Sequence, residues 1–364
     1  HGETTAEKVL ATAREYLAAH GEDINSVAIM LNTVTDAIAV SAKMRDEAKK
    51  DKKWQVILLH SRLPGTIKKH RIAVAKDALK AGSKVMVVAT QVIEASVNID
   101  FDAAITVAVP ADSLIQRMGR VFRNRSVAFH GQYPNVVIVN HADRLVPGRD
   151  VDGIYDPEYV AATLERAKNV AGTLLDGKAE EEILQASFTP AISGRFNKAY
   201  SDMVDYIDGT ACTRKSDVQR LFRNLATWSI VLKGDGDFAA RLSRQSGMPG
   251  LLPNLQSFYA GIANRRERSD LTGEERLVFA KLAADIGISV SRHVHDRLFK
   301  AGALSTCLFD STVSVLDVEA FCSKHEIKGA KKSSLIDALL DNGLDDPGFL
   351  EALESKPGSD EWSM

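Results

Sequence analysis

Through its first 140 residues the chain alternates short, β-branched apolar runs with amphipathic stretches, and few folds admit that rhythm. It is the pattern of strands buried on both faces and wound with helices, a parallel α/β sheet. Strands are expected at Val27–Leu31, Val56–His60, Lys84–Ala89, Ala104–Val109 and Asn135–Asn140, the middle ones apolar enough to be covered on both sides. Helical periodicity fills the intervals at Thr33–Lys49, at Thr66–Ala81 (closed by Gly82 in a C-cap position) and at Ser113–Val121, with an initial helix over Thr5–Ala19 ahead of Gly21. His141–Pro157 holds Pro147, Gly148, Gly153 and four aspartates without periodicity, which reads as a linker. Beyond it helical patterns dominate, at Pro157–Leu175, Lys215–Leu232, Gly273–Ile286 and Asp317–Asn342. The expected organisation is an α/β lobe over 1–145, a mainly helical accessory domain over 146–310, a helix hairpin over 311–345 and an acidic tail over 346–364.

Composition narrows the class. At 364 residues, 45% hydrophobic and 26% charged, the chain is long enough for two or three globular domains. Its longest apolar runs, such as Val85–Thr90 and Val136–Val139, fall far short of the roughly 20 residues that span a bilayer, so no membrane partner and a cytoplasmic location are expected. Cys212, Cys307 and Cys322 form no C-x-x-C pair, which argues against a disulfide framework or a cysteine zinc site. The net charge of -2 conceals an asymmetry: residues 43–84 carry thirteen Lys or Arg against four acids, whereas residues 341–364 carry seven acids and one lysine. The acidic end reads as solvated or disordered. A basic stretch is usually a solvated face and by itself argues only modestly for nucleic acid.

The sharpest motif is Gln116-Arg117-Met118-Gly119-Arg120-Val121-Phe122-Arg123. Helical positions three apart share a face, so Arg117, Arg120 and Arg123 are expected to point one way, with Gly119 permitting close backbone approach. Guanidinium groups so arrayed suit a triphosphate, whose transferring γ-phosphoryl group gathers charge. A plain solvated helix face is the alternative.

Q-R-x-G-R-x-x-R resembles motif VI of superfamily 2 helicases, and the segments before it resemble motifs IV to V in the expected order. Val27-Ala28-Ile29-Met30-Leu31-Asn32-Thr33 is similar to the strand and turn of motif IV; Leu58-Leu59-His60-Ser61-Arg62-Leu63-Pro64 with Arg71 is similar to the next block; Val87 to Asp102 is similar to motif V. Within that last block Val92-Ile93-Glu94 and Ile99-Asp100-Phe101-Asp102, with Asp112-Ser113-Leu114-Ile115-Gln116-Arg117, resemble more particularly the CRISPR-associated helicase-nuclease of type I interference systems. Two positions depart from the usual wording: Ala95 stands where glutamine is common and Asn98 where aspartate is common.

The resemblance implies a P-loop NTPase-like second helicase lobe with a RecA-like parallel sheet, part of an ATP-driven motor that unwinds target DNA for a fused or separate nuclease. It implies that Arg120 and Arg123 reach the γ-phosphate as catalytic groups and that Gln116, Arg117 and Gly119 lie at the nucleotide, with Arg117 alternatively bracing neighbouring motifs. It further implies that Asn32, Thr33, Ser61, Arg62 and Thr90 contact the backbone of single-stranded DNA, as groups that fix register without reading sequence. For Thr90 the bland alternative is a strand-end or N-cap hydroxyl. ATP and Mg²⁺ are the implied cofactors; the implied partners are single-stranded DNA, an RNA-guided surveillance complex, a first RecA-like lobe and the nuclease.

No G-x-x-x-x-G-K-[ST] loop and no D-E-x-[HD] tetrad at a strand end occur in the 364 residues, so ATP hydrolysis by this chain alone is not expected. The start, His1-Gly2-Glu3, lacks methionine, and a piece of a longer protein is expected. No metal site is expected: His293-Val294-His295-Asp296 reads as a solvated helix face. Near the end, a helix, Ile327-Lys328-Gly329-Ala330-Lys331-Lys332 and a second helix from Ser333 resemble a SAP-type hairpin, which would aim Lys328, Lys331 and Lys332 at DNA phosphates. A hairpin that merely packs on its own domain is the alternative. Competing functional readings are another superfamily 2 motor, acting on RNA or in repair, and a non-catalytic nucleic-acid-binding or docking module.

Overall fold

A computed structural model of the chain describes residues 4–354, apart from 97, 124–128, 130, 141–153, 175, 209–226, 252, 254, 257, 260–271 and 307–312. It divides into two units, residues 1–59 with 75–225 and residues 60–74 with 226–364.

The first unit is the RecA-like lobe. Helix α1 (Thr5–His20) begins with a reciprocal capping box between Thr4 and Glu7. Strand β1 (Ser26–Met30) leads to α2 (Val34–Asp51), β2 (Trp54–Leu59), α3 (Gly65–Lys80, whose residues up to 74 are counted with the second unit), β3 (Lys84–Ala89), a short α4 (Val92–Ser96), β4 (Ala103–Val107), α5 (Ala111–Met118) and β5 (Val136–Val139). The five strands pair in parallel in the order β2-β3-β1-β4-β5, with Ala28 opposite Val87 and Ala104. Every residue of β1 and β4 is buried, as strands covered on both faces require. On one side Val27, Ile29, Leu31, Ile105 and Val107 meet Val9 and Ala13 of α1 and Ile38 and Val40 of α2. All five expected strands therefore form, within two residues of their anticipated limits.

The expected boundary at 145 is displaced. Helices α6 (Pro157–Val170), α7 (Gly177–Ser187) and α8 (Pro190–Asp208) belong to the first unit. Val160 and Leu164 of α6 pack on Ala108, just past β4, and on Ile138 of β5, and Tyr159, Ile183 and Ile192 enclose Ala111. Apolar surface on α5 needs a cover, and these helices supply it.

The second unit is mainly helical, as expected, but its helices surround a sheet that the helical patterns did not announce. Its centre is a four-stranded sheet ordered β7-β6-β9-β8, made of β6 (Thr227–Lys233), β7 (Gly287–Ser291), β8 (Leu304–Thr306) and β9 (Val313–Asp317). Only β6 and β9 run parallel. Thr227–Leu232, expected as the end of a helix, is strand because Ile230, Val231 and Leu232 are buried on both faces at the sheet's centre, where a continuous apolar run carries no period. Around it stand α9 (Gly236–Gln245), α10 (Gly273–Ile286), α11 (Arg292–Lys300), α12 (Val318–Lys324), α13 (Gly329–Asn342) and α14 (Pro347–Glu354). Within the helical stretch over 317–342 the expected hairpin forms: Asp317 is β9's last residue, two helices follow with a break at 325–328, and the second begins at Gly329, four residues before the expected Ser333. The acidic tail is also corrected: Leu344, Phe349 and Ala352 lie in this unit's core, and Asp345 and Asp346 are buried. Residues 355–364 and most of the expected linker, 141–153, lie outside the described residues.

Among the described residues no helix is long and apolar enough to cross a membrane. Cys322 is buried and its thiol is pushed up to about 11 by burial and then by Glu319, while Cys212 and Cys307 lie outside the described residues.

Candidate functional site

The ends of the first unit's central strands converge on one side chain. Arg117, in the last turn of α5, is 1% exposed. Its Nε donates to Glu94 Oε1 at 2.8 Å, Nη1 to Thr106 Oγ1 at 2.8 Å and Nη2 to Asn32 Oδ1 at 3.1 Å. One guanidinium thereby joins the exit of β1, the body of β4 and the short helix after β3. The Asn32 amide nitrogen reaches Ala108 O at 3.4 Å, and Gln91 Nε2 donates to Asn32 O at 3.1 Å and to the Tyr155 hydroxyl at 3.3 Å. Burial raises the Glu94 carboxyl above its ordinary value, against the pull of Arg117. A planar, five-donor fork can serve three acceptors at once, which an ammonium on a flexible stem does less well.

The three arginines do not share a helical face. Helix α5 ends at Met118, and Gly119 caps it through its N–H to Ile115 O at 2.8 Å. The chain then joins Phe101: Phe101 N donates to Arg120 O at 2.9 Å and Phe122 N to Phe101 O at 3.0 Å, with Phe122 in the left-handed region at φ 56°. Arg117 consequently turns inward, Arg120 is half-buried with its Nη2 on the Glu94 carbonyl, and Arg123 is exposed with its backbone N–H on Asp100 Oδ1 at 2.9 Å. Burial, then the neighbouring Arg123, lowers the Arg120 pKa. The expectation of Arg117 at the nucleotide is corrected: it is buried and internally bonded, and it braces neighbouring segments. Gln116 is exposed on α5 and Gly119 is exposed at its end, where a Cβ would lie 3.3 Å from Ile115 O.

The expected nucleic-acid contacts divide between the units. In the first, the Asn32 amide is buried in the Arg117 lattice, so its side chain is a structural link; a backbone contact at that turn is what survives of the expectation. Thr33 caps α2, its hydroxyl accepting from Asp36 N at 3.1 Å and donating to Asp36 Oδ2 at 2.6 Å. Thr90 is buried where β3 ends, its N–H on Leu59 O at 3.2 Å and its carbonyl accepting from Ile93 N at 3.2 Å. In the second unit Ser61 is exposed, and Arg62 forms an ion pair with buried Asp345. Arg71 likewise pairs with Asp341 at 3.1 Å and donates to the Asp341 carbonyl at 3.0 Å. Part of the basic stretch is therefore neutralised by the segment expected to be a solvated acidic tail.

The C-terminal hairpin packs on its own unit, with Phe321, Leu335, Ile336 and Leu339 in the core. Lys332 is bound by Glu319 at 2.5 Å and Asp235 at 3.2 Å, whereas Lys328 and Lys331 are exposed. His295 stacks on Trp228 with centroids 4.7 Å apart and lies 3.3 Å from Ser314 Oγ. Among the described residues no group of three His, Cys, Asp or Glu is placed to hold a metal ion.

Sequence reasoning gave no role to Glu94, Gln91, Thr106 or Tyr155. Glu94 and Gln91 sat inside a recognised block; nothing in the residues around Thr106 or Tyr155 announced them.

A parallel β2-β3-β1-β4-β5 sheet with flanking helices, whose strand ends close on a buried arginine, defines the class: a RecA-like α/β lobe. Residues 23–126 match the family model described as "CRISPR-associated nuclease/helicase Cas3, C-terminal". Over that stretch the chain is similar to the C-terminal helicase region of Cas3 proteins. It is 32% identical over 212 residues to a CRISPR-associated nuclease/helicase Cas3 of Methanothermobacter thermautotrophicus, a match covering 57% of this chain and 24% of the relative. Over 104 residues it is 36% identical to the Cas3 of Streptococcus thermophilus, covering 27% of this chain and 11% of that protein. The chain thus spans a quarter or less of these relatives' length. The crystal structure of T. fusca Cas3-ATP superposes with a TM-score of 0.57 at 15% identity, over 87% of this chain and 38% of the other. A chain of a CRISPR RNA-guided surveillance complex, pre-nicking, gives 0.54 at 15%, over 84% of this chain and 39% of that one. At those identities the likeness is one of fold.

Proposed function

We propose that this chain is the second motor lobe and C-terminal region of an ATP-dependent DNA helicase, acting in type I CRISPR interference to unwind target DNA for cleavage by a nuclease domain or partner. The observation that carries the reading is the Arg117 lattice. It ties Asn32, Glu94 and Thr106, from three segments of the lobe, to one guanidinium, and Glu94 is also the residue whose carbonyl holds Arg120. A movement at one strand end is thereby transmitted to the guanidinium pair beyond α5.

Arg120 and Arg123 are the residues that would hold the terminal phosphate of ATP, where fixed positive charge offsets the negative charge developing during transfer. ATP supplies the phosphoanhydride bond whose hydrolysis drives the motor. Gln116 and Gly119, exposed beside them, would line the same face. The P-loop and the carboxylates for Mg²⁺ are absent from this sequence and belong to a first RecA-like lobe. Contacts to single-stranded DNA would come from the Asn32-Thr33 turn and the Thr90 strand end in one unit and from Ser61, Lys328 and Lys331 in the other, with Arg62 and Lys332 kept as structural ion pairs. An RNA-guided surveillance complex is the partner that would load the motor on its target.

The test is ATP hydrolysis by this chain and by the same chain joined to a first lobe bearing the P-loop, each with and without single-stranded DNA and RNA. Turnover is expected only from the joined protein and only with DNA, and Arg120→Ala or Arg123→Ala should lower it about a thousandfold. Turnover by the chain alone would overturn the reading. Undiminished turnover in both arginine variants would remove them from the site, and no turnover in either form would favour a docking module.

A further inference from the structure

A cavity of about 540 Å³ opens in the first unit among α5, α6, α7 and α8, lined by Asp112, Tyr159, Leu184, Gln185, Phe188 and Phe196. It takes no part in the function proposed above. Three of its six walls are aromatic. Tyr159 meets Phe188 edge-on, with centroids 5.6 Å apart at 74°, and meets Phe196 at 6.4 Å and 82°. Phe188 and Phe196 are stacked at 5.5 Å and 27°. Phe188 and Phe196 are also exposed, Phe196 by 51%, so both rings are open to a ligand.

The charge of the lining selects among ligands. Asp112 is its one ionisable wall besides the tyrosine, and Tyr159, whose hydroxyl is pushed up to about 12 by burial and then by that carboxylate, stays neutral. Gln185 is held by Glu181 at 2.8 Å, and α7 carries Glu180, Glu181 and Glu182 against the one Lys178. Arg195, next to Phe196 in the chain, is already committed to Asp156 at 2.7 Å and Glu158 at 2.9 Å. A nucleobase does not suit the site: two rings 5.5 Å apart leave no slot of the roughly 7 Å that a sandwiched base needs, at about 3.5 Å per contact, and Asp112 would repel its phosphate. A cation does suit it. Aromatic faces and edges around a single carboxylate form the electrostatic complement of a guanidinium or ammonium on an apolar stem.

We propose that this cavity is a docking site for an arginine or lysine side chain presented by an apolar segment of a partner protein, the cation on Asp112 and the rings, its stem and neighbours on Leu184 and Phe196.

The experiment titrates the full chain with acetyl-Leu-Arg-Leu-amide and with the same peptide carrying citrulline, the neutral isostere of arginine, while the aromatic resonances of Phe188 and Phe196 are followed by NMR. Saturable shifts are expected with the arginine peptide, and at least tenfold weaker binding with citrulline. Asp112→Asn and Phe196→Ala should each weaken the arginine peptide tenfold or more at unchanged circular dichroism; both side chains are exposed, so neither change opens the core. Equal binding of the two peptides, no saturable binding of either, or undiminished binding by Asp112→Asn would overturn the proposal. Competition by oligothymidine at the same resonances would overturn it in favour of nucleic acid. None of these outcomes depends on ATP turnover.

Discussion

Arg117 and Arg123 have the same side chain, six residues apart, in opposite surroundings. Arg117 is desolvated and its charge is matched by Glu94, so Arg117→Ala leaves a buried carboxylate without its cation and should cost about 3–5 kcal/mol in urea unfolding. Arg123→Ala, at an exposed position, should stay within about 0.5 kcal/mol. Equal losses would contradict the lattice. The second unit offers a pH test. His60 is fully buried, and burial, then the nearby Arg71, Arg62 and Lys68, pushes its pKa from 6.5 down to about 3. Because the folded value is the lower one, the unfolded chain takes the proton first as pH falls: this contribution is complete above pH 6.5 and is lost progressively toward pH 3. Between pH 7 and pH 5 the wild type should lose about 2 kcal/mol more than His60→Leu, at about 1.4 kcal/mol per pH unit over most of that window. Unfolding followed through Trp228 fluorescence, with the other tryptophans replaced by phenylalanine, measures it. The arginine spacing itself was legible in the sequence. Its geometry was not, because the reading assumed a helix through Val121, and α5 stops at Met118 to let Arg120 and Phe122 bond Phe101.

Among the elements, α13 ends in a way that sequence reasoning did not weigh. Gly343 has φ 76° and ψ -170°, a combination nearly closed to other residues, and a Cβ there would lie 2.4 Å from the Arg62 carbonyl oxygen. Gly343→Ala should therefore cost about 2–3 kcal/mol and raise amide exchange in α13 and α14, whereas Gly82→Ala, at φ 74° with open space around it, should cost only the backbone strain of about 1 kcal/mol. Strands β1 to β5 were legible because β-branched runs bounded by turns, between helices of the right length, leave little alternative. Strand β6 was not, since Ile230-Val231-Leu232 is apolar at every position. Helix α14 was misread for the opposite reason: its acids are visible in the sequence, while the Arg62 and Arg71 that neutralise the segment before it are some 270 residues away.

For the molecule as a whole, the proposed DNA contacts predict a salt dependence. Lys328→Ala and Lys331→Ala should each lessen the slope of log K against log salt for single-stranded DNA by about 0.7, the value for one phosphate contact on a single strand. Lys332→Ala, whose ammonium is already held by two carboxylates, should leave the slope nearly unchanged. An equal effect of all three would show that the hairpin's ion pairs open on binding. What the amino-acid sequence determined by itself was local or periodic: the five parallel strands, the order of the helicase-like blocks, the family they resemble and the absence of a P-loop. Each of these is written in neighbouring residues. Tertiary structure alone decided which basic residues are neutralised, that residues 154–208 complete the first unit, that a mixed sheet centres the second, and that one arginine of three turns inward. Those outcomes depend on burial and on charge partners far apart in the chain, and desolvation is a property of the folded molecule that no local pattern records.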